Sequence, residues 1–169
     1  MLELSKIKEQ DIISAAAKGM DEFVQLFADA INASIGGELT AENMATLNGD
    51  QITLLAYVIF RDEVMNGGFI QLIHNGYGPF IFDNPFAKAM RLWGARQLTN
   101  LVYDGKRLYE QHKARLTAEC TVEEFMALFE QFPEFDDLDD AFIEMEEEVT
   151  EAVAVYIDNH IDRFADVEK

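Results

Sequence analysis

The stretch QITLLAYVIFRDEVM, residues 51–65, decides the fold. Ile52, Leu54, Leu55, Tyr57, Val58, Phe60 and Val64 place apolar groups nearly all round a helical projection, the pattern of a helix buried on every side. The β-branched Ile52, Thr53, Val58 and Ile59 would also suit a strand, but the run is longer than a buried strand needs, and its length favours helix. This reading puts a buried helix at the centre of an all-α fold. Nothing beyond the turn segment that follows alternates with period two over a useful length.

On the C-terminal side comes MNGGFIQLIHNGYGPFIFDNP, residues 65–85. Its glycines and prolines predict a break at Asn66-Gly67-Gly68, a short helix from Phe69, and a tight loop over Asn75–Pro79. Asn84-Pro85 predicts a helix start, with Asn as N-cap and Pro at the first helical position. Helices are expected from Pro85 to about Arg96 and from about Thr99 to Arg115, with Trp93 and Tyr103 as core aromatics. Thr121-Val122-Glu123-Glu124 is a capping box that opens a helix to about Phe132. Pro133 ends that helix, and the last one runs from near Asp137 or Asp139 to about Phe164. On the N-terminal side, helices are expected over Ser5–Lys18, from a cap at Asp21 to Gly36-Gly37, and from Thr40 to the Asn48-Gly49 turn.

In the last helix Leu138, Phe142, Met145, Val149, Ala152/Val153 and Tyr156 recur at steps of three and four, which makes a buried stripe. Asp140, Glu144, Glu147/Glu148 and Glu151 recur on the same period on another side. The apolar stripe accounts for folding; the acidic one does not take part in it. The expected architecture is a single compact multi-helix domain over residues 1–169 with a long acidic C-terminal helix.

The chain has 169 residues, 49% hydrophobic, with thirteen Phe and a net charge of −19. Residues 1–116 carry 14 acidic and 11 basic side chains, whereas residues 117–169 carry 18 acidic and 2 basic. The acidity belongs to the C-terminal third. A chain so charged avoids nucleic acid and anionic membranes and steers basic proteins toward itself. Lys88, Arg91, Arg96, Lys106, Arg107, Lys113 and Arg115 are a local positive excess, expected to pair with the acidic C-terminal helix or lie near it. Cys120 is the only cysteine, so no internal disulfide is possible. The N-terminal residues lack a basic-then-apolar signal, and residues 52–60 make about half a membrane span. A soluble cytoplasmic protein is expected.

Several chemistries are excluded by spacing. An EF-hand loop begun at Asp137 has Glu148 at its twelfth position, but Ala141 and Phe142 at the fifth and sixth, where a ligand and the turning Gly are needed. No phosphate-binding loop, nucleophile elbow, zinc-protease helix or dinucleotide fingerprint occurs. Glu144, Glu147 and Glu148 could pair on one helix, but a di-metal bundle site also needs Glu-x-x-His facing the core. His74 beside a glycine turn is expected to bond a backbone group. No enzyme activity, metal or cofactor is expected. Gly67-Gly68 could cradle a phosphate, but no Lys or Arg follows until Lys88, and close helix crossing explains the glycines better.

Glu63-Val64-Met65-Asn66-Gly67-Gly68-Phe69-x-Gln71, the Ala87–Ala95 stretch AKAMRLWGA and Leu138–Phe142 resemble a family of small acidic bacterial proteins, over roughly residues 51–156. That family is typified by a nineteen-kilodalton DNA-mimic protein. The resemblance implies an all-α homodimer that occupies a DNA-binding transcriptional regulator in place of DNA, with Asn66, Gly67, Gly68 and Phe69 as a structural signature. The charge supports that role independently. Seven carboxylates lie between Asp139 and Glu151, along a helix rise of about 18 Å, or roughly one per 3 Å against one per ~1.7 Å for duplex DNA. The expected partner surface comprises Glu123, Glu124, Glu130, Asp136, Asp137, Asp139, Asp140, Glu144, Glu146, Glu147, Glu148 and Glu151. The expected partner is a basic DNA-binding protein, a helix-turn-helix transcriptional regulator, and not nucleic acid or a membrane. Two alternatives share the electrostatics: an immunity or antitoxin-type inhibitor of a basic nuclease, and an acidic family member with no mimic role.

Overall fold

A computed structural model of the chain describes residues 4–169. Met1, Leu2 and Glu3, the start of the segment in which no signal sequence is read, lie outside the described residues. In chain order the elements are β1 (Ser5–Lys8), α1 (Glu9–Lys18), α2 (Met20–Ser34), α3 (Ala41–Met44), α4 (Gly49–His74), α5 (Gly78–Phe82), α6 (Phe86–Leu92), α7 (Arg96–Leu116), α8 (Val122–Gln131), α9 (Glu134–Asn159), α10 (Ile161–Phe164) and β2 (Ala165–Glu168). The fold is all-α, as expected, with one small two-stranded sheet among the described residues. The chain forms two compact units, residues 1–58 with 150–169 and residues 59–149, and α4 and α9 contribute to both.

In the first unit β1 and β2 pair in parallel, Ser5 opposite Ala165 and Lys8 opposite Glu168. This corrects the helix expected from Ser5: residues 5–8 are strand and the helix begins at Glu9. Four residues with only Ile7 as an apolar inward group are too few for alternation to register, and the partner strand lies at the other end of the chain. The core here is Phe23, Val24, Phe27, Ile31, Leu54, Tyr57, Val153, Ile157 and Phe164. Tyr57 and Thr150 exchange a buried hydroxyl hydrogen bond at 2.6 Å, which satisfies two polar groups that would otherwise be costly to bury. Asn48 and Gln51 cap the start of α4 reciprocally, each side chain accepting from the other's backbone N–H at 2.9 and 3.0 Å. Asp21 lies inside the first turn of α2, whose N-cap is Gly19. The first turn closes on Gly19, whose carbonyl accepts from Phe23 N at 3.1 Å, and so leaves Asp21 inside the helix.

The second unit packs around aromatic rings. Phe60 meets Phe69 and Phe142 edge-on, with centroids 5.5 and 5.0 Å apart. Phe69 also stacks near Phe82 and Phe135. Such pairs add to burial by roughly 0.5–1.5 kcal/mol each. Residues 51–65 are helical throughout, as read from the sequence, and the break falls at Gly68, with φ 76° and ψ −176°. Asn84 does not cap α6, whose N-cap is Pro85. Its amide instead donates to the Pro79 and Phe80 carbonyls, because the C-terminal carbonyls of α5 lie within its reach. The turn between α6 and α7 comes at Gly94, φ 96°, two residues before the boundary expected at Arg96. Tyr103 is not a core aromatic: it is 48% exposed, whereas Trp93 is buried. Thr121 and Glu124 form the expected capping box, Thr121 Oγ1 accepting from Glu124 N at 3.1 Å and Glu124 Oε1 from Thr121 N at 3.3 Å. Thr121→Ala should lower stability by about 1 kcal/mol, read as a drop in melting temperature of about 2–4 °C.

Candidate functional site: the acidic helical surface

α9 begins directly after Pro133, three residues earlier than the first start considered, because the first turn is anchored by Phe135, fully buried. Phe135, Phe142 and Val149 are buried and Leu138 and Met145 half-buried along one side. On the other side Asp136, Asp137, Asp140, Glu144, Glu147 and Glu148 are exposed, as are Glu123, Glu124 and Glu130 on α8 and Glu151 further along α9. Neither α8 nor α9 contains a Lys or Arg. These are fixed-pitch helices, so the carboxylates project from rigid backbone and not from loops.

Two of the acidic residues stand apart. Asp139 and Glu146 are half-buried. They fall at steps of three and four between Phe135, Phe142 and Val149, so they share the inward stripe rather than the outward one. Asp139 Oδ1 accepts a hydrogen bond from Phe69 N at 2.8 Å, at the point where α4 restarts after Gly68. An orphan amide at a helix start is thus capped by a carboxylate from a different helix. Gly68 makes the approach possible, since a Cβ there would lie inside the Asp139 carboxyl group.

Burial pushes the Asp139 carboxyl up to about 6, the Phe69 amide opposes that, and Asp136 and Asp140 add to it. The folded protein therefore holds this proton more tightly than the unfolded chain. Its contribution to stability falls as pH rises from about 3.8 to about 6 and is constant above that window. Asp139→Asn keeps an acceptor for Phe69 N and removes the titration. The melting temperature of the variant relative to wild type should be higher at pH 7 than at pH 4. A difference that does not change with pH would show that Asp139 titrates as an ordinary surface carboxylate.

The residues around the break support one another. Gln71 donates to Glu63 at 2.7 Å, Asn75 donates to the same carboxylate at 3.0 Å, and Asn66 donates to Gln71 at 3.3 Å. Phe69 is fully buried. Asn66, Gly67, Gly68 and Phe69 thus shape the joint between two halves of α4. His74 Nδ1 bonds the Leu116 carbonyl at 2.9 Å, the backbone role expected of it. Among the described residues, the basic side chains expected to pair with the acidic C-terminal helix have other partners or none. Lys106 and Arg107 pair inside α7, with Glu110 at 4.0 Å and Asp104 at 3.5 Å, and Arg115 donates to Gln131 on α8. Partners three or four residues away on the same helix win because little side-chain freedom is lost in reaching them. Among the described residues, no group of three His, Cys, Asp or Glu side chains is arranged to hold a metal ion, and no helix is long and apolar enough to cross a membrane.

Residues 45–160 match the DMP19-like protein family. The chain is also similar to the DNA mimic protein DMP19 of Neisseria meningitidis serogroup B, with 36% identity over 127 residues, covering 75% of this chain and 77% of the relative. The family match takes in α8 and all of α9.

Proposed function

The chain belongs to the DMP19-like family, and from that premise we propose that it is a DNA mimic, whose acidic surface occupies the DNA-binding face of a basic protein and keeps DNA away from it. The observation that carries this reading is the set of exposed carboxylates on α8 and α9, with no cation interspersed on either helix. A DNA-binding face makes many of its contacts to phosphate oxygens. Helix-mounted carboxylates can meet the same Lys, Arg and backbone N–H groups. The contact set is Glu123, Glu124, Glu130, Asp136, Asp137, Asp140, Glu144, Glu147, Glu148 and Glu151. Asp139 serves as the anchor that holds α9 against Phe69, and Asn66, Gly67, Gly68 and Phe69 supply the joint that receives it.

The partner is a DNA-binding transcriptional regulator of the helix-turn-helix kind, met by a homodimer in the cytoplasm. DNA itself is not bound, because it carries the same sign of charge, and no chemistry is catalysed. Immobilised protein incubated with host lysate at low salt should capture such a regulator and release it as salt rises, since exposed charges are screened beyond about 8 Å at physiological ionic strength. Retention that does not respond to salt, or direct binding of duplex DNA, would overturn the reading.

A further inference from the structure

The cations of α6 and α7 lie where the acidic surface does not use them. Residues 84–109 hold five Lys or Arg and one acidic residue, Asp104, in a chain that otherwise carries a large acidic excess. On α6, Phe86, Ala87 and Met90 face inward while Lys88, Arg91 and Leu92 are exposed. On α7, Arg96, Tyr103 and Arg107 fall at i, i+7 and i+11, one helical face, and all are exposed. The two helices are tied by a buried hydrogen bond from Thr99 Oγ1 to the Ala87 carbonyl at 2.7 Å. Lys88, Arg91 and Arg96 have no ion-pair or hydrogen-bond partner among the described residues, although the chain offers 32 carboxylates. Leu92, next to Arg91 in the chain, is 74% exposed, and Tyr103 on the Arg96 face of α7 is 48% exposed.

We propose that this face of α6 and α7 is a second docking surface, and that its occupant is a short acidic peptide segment of a partner protein carrying an apolar side chain. Carboxylates of the segment meet Lys88, Arg91 and Arg96, and the apolar side chain covers Leu92. Nucleic acid fits less well. It would bring a continuous line of phosphates, one per ~1.7 Å of duplex, to a molecule of net charge −19, and it offers Leu92 nothing apolar along its backbone. A second copy of the chain seated on this face is the remaining alternative occupant, and sedimentation of the charge-reversed variant tests it.

The test uses fluorescence anisotropy with a labelled peptide of Glu-Glu-Leu repeats, a Lys-Lys-Leu peptide, and an oligodeoxythymidine, each titrated with the full chain. The Glu-Glu-Leu peptide should bind, and K88E/R91E/R96E should weaken it by about tenfold or more, from the loss and reversal of three exposed pairings. Leu92→Ser should weaken it by several-fold without changing its salt dependence. The Lys-Lys-Leu peptide reports on the acidic surface of α8 and α9 and should bind the charge-reversed variant no less well, and a thermal melt matching that of the wild type shows that the variant is folded. Failure of that peptide alone would count against the mimic reading and leave this one standing. The proposal is overturned if the Glu-Glu-Leu peptide does not bind or binds the reversed variant equally. It is also overturned if oligodeoxythymidine takes the face instead, or if sedimentation shows self-association that the reversal abolishes.

Discussion

Replacing Asp140 by Asn and Glu144, Glu147, Glu148 and Glu151 by Gln should leave the fold intact and weaken binding to the DNA-binding partner by about a hundredfold or more at low salt. The magnitude follows from five exposed charge contacts at up to about 1 kcal/mol each, with ~1.4 kcal/mol per factor of ten. These five side chains are exposed and none lies on the buried stripe of α9, so no core contact is removed. Asp140–Glu144, Glu144–Glu148 and Glu147–Glu151 are like-charge pairs four residues apart, each unfavourable by about 0.2–0.5 kcal/mol. Stability should therefore stay equal or rise by up to about 1.5 kcal/mol. Thermal melts and partner binding measured on the same sample read both halves. A variant that unfolds would show that these carboxylates hold structure together. A variant that still binds tightly would move the contact surface away from α9. Surfaces tuned for binding at some loss of stability are a common outcome of selection.

Gly68→Ala should destabilise the protein by about 2–4 kcal/mol, the largest stability effect expected of one small substitution here. Two causes act together. The backbone at Gly68, φ 76° and ψ −176°, belongs to a region that only glycine occupies without strain. The added methyl would also meet the Asp139 carboxyl, which cannot turn aside without giving up its bond to Phe69 N at 2.8 Å. Losing that bond leaves the amide at the restart of α4 without its cap. Urea unfolding would measure the change. Combining Gly68→Ala with Asp139→Ser should recover only part of the loss, because the backbone strain remains. A single variant within about 0.5 kcal/mol of wild type, the range of an ordinary surface change, would mean that the joint tolerates a side chain and that α9 is held by its apolar stripe alone.

The elements legible in the sequence were those whose signals are local. The all-round apolarity of residues 51–65, the Thr121–Glu124 capping box and the spacing of Phe142 and Val149 each need only a few neighbouring residues to act. The parallel pairing of β1 with β2 depends on two ends of the chain meeting, and four residues of strand carry no such information. Asp139 belongs with the outward acids by its chemistry, yet its phase between Phe135 and Phe142 places it inward. That phase was readable; its partner, an amide seventy residues away in sequence, was not. Asn84, Lys106 and Arg107 differ from expectation for a shared reason: each has a nearer partner, on α5 or on its own helix. The exposure of Tyr103 followed the face it shares with Arg96 and Arg107, which aromaticity alone obscured.

The central claim is that the acidic surface stands in for DNA, and competition for the captured partner tests it most directly. The partner, bound to a labelled copy of its own DNA site, is titrated with this protein while anisotropy follows the label. The account predicts full release of the DNA, with a midpoint that rises in proportion to the DNA present, because both ligands require the same face. A ternary complex in which DNA stays bound, or a midpoint independent of DNA concentration, would contradict it.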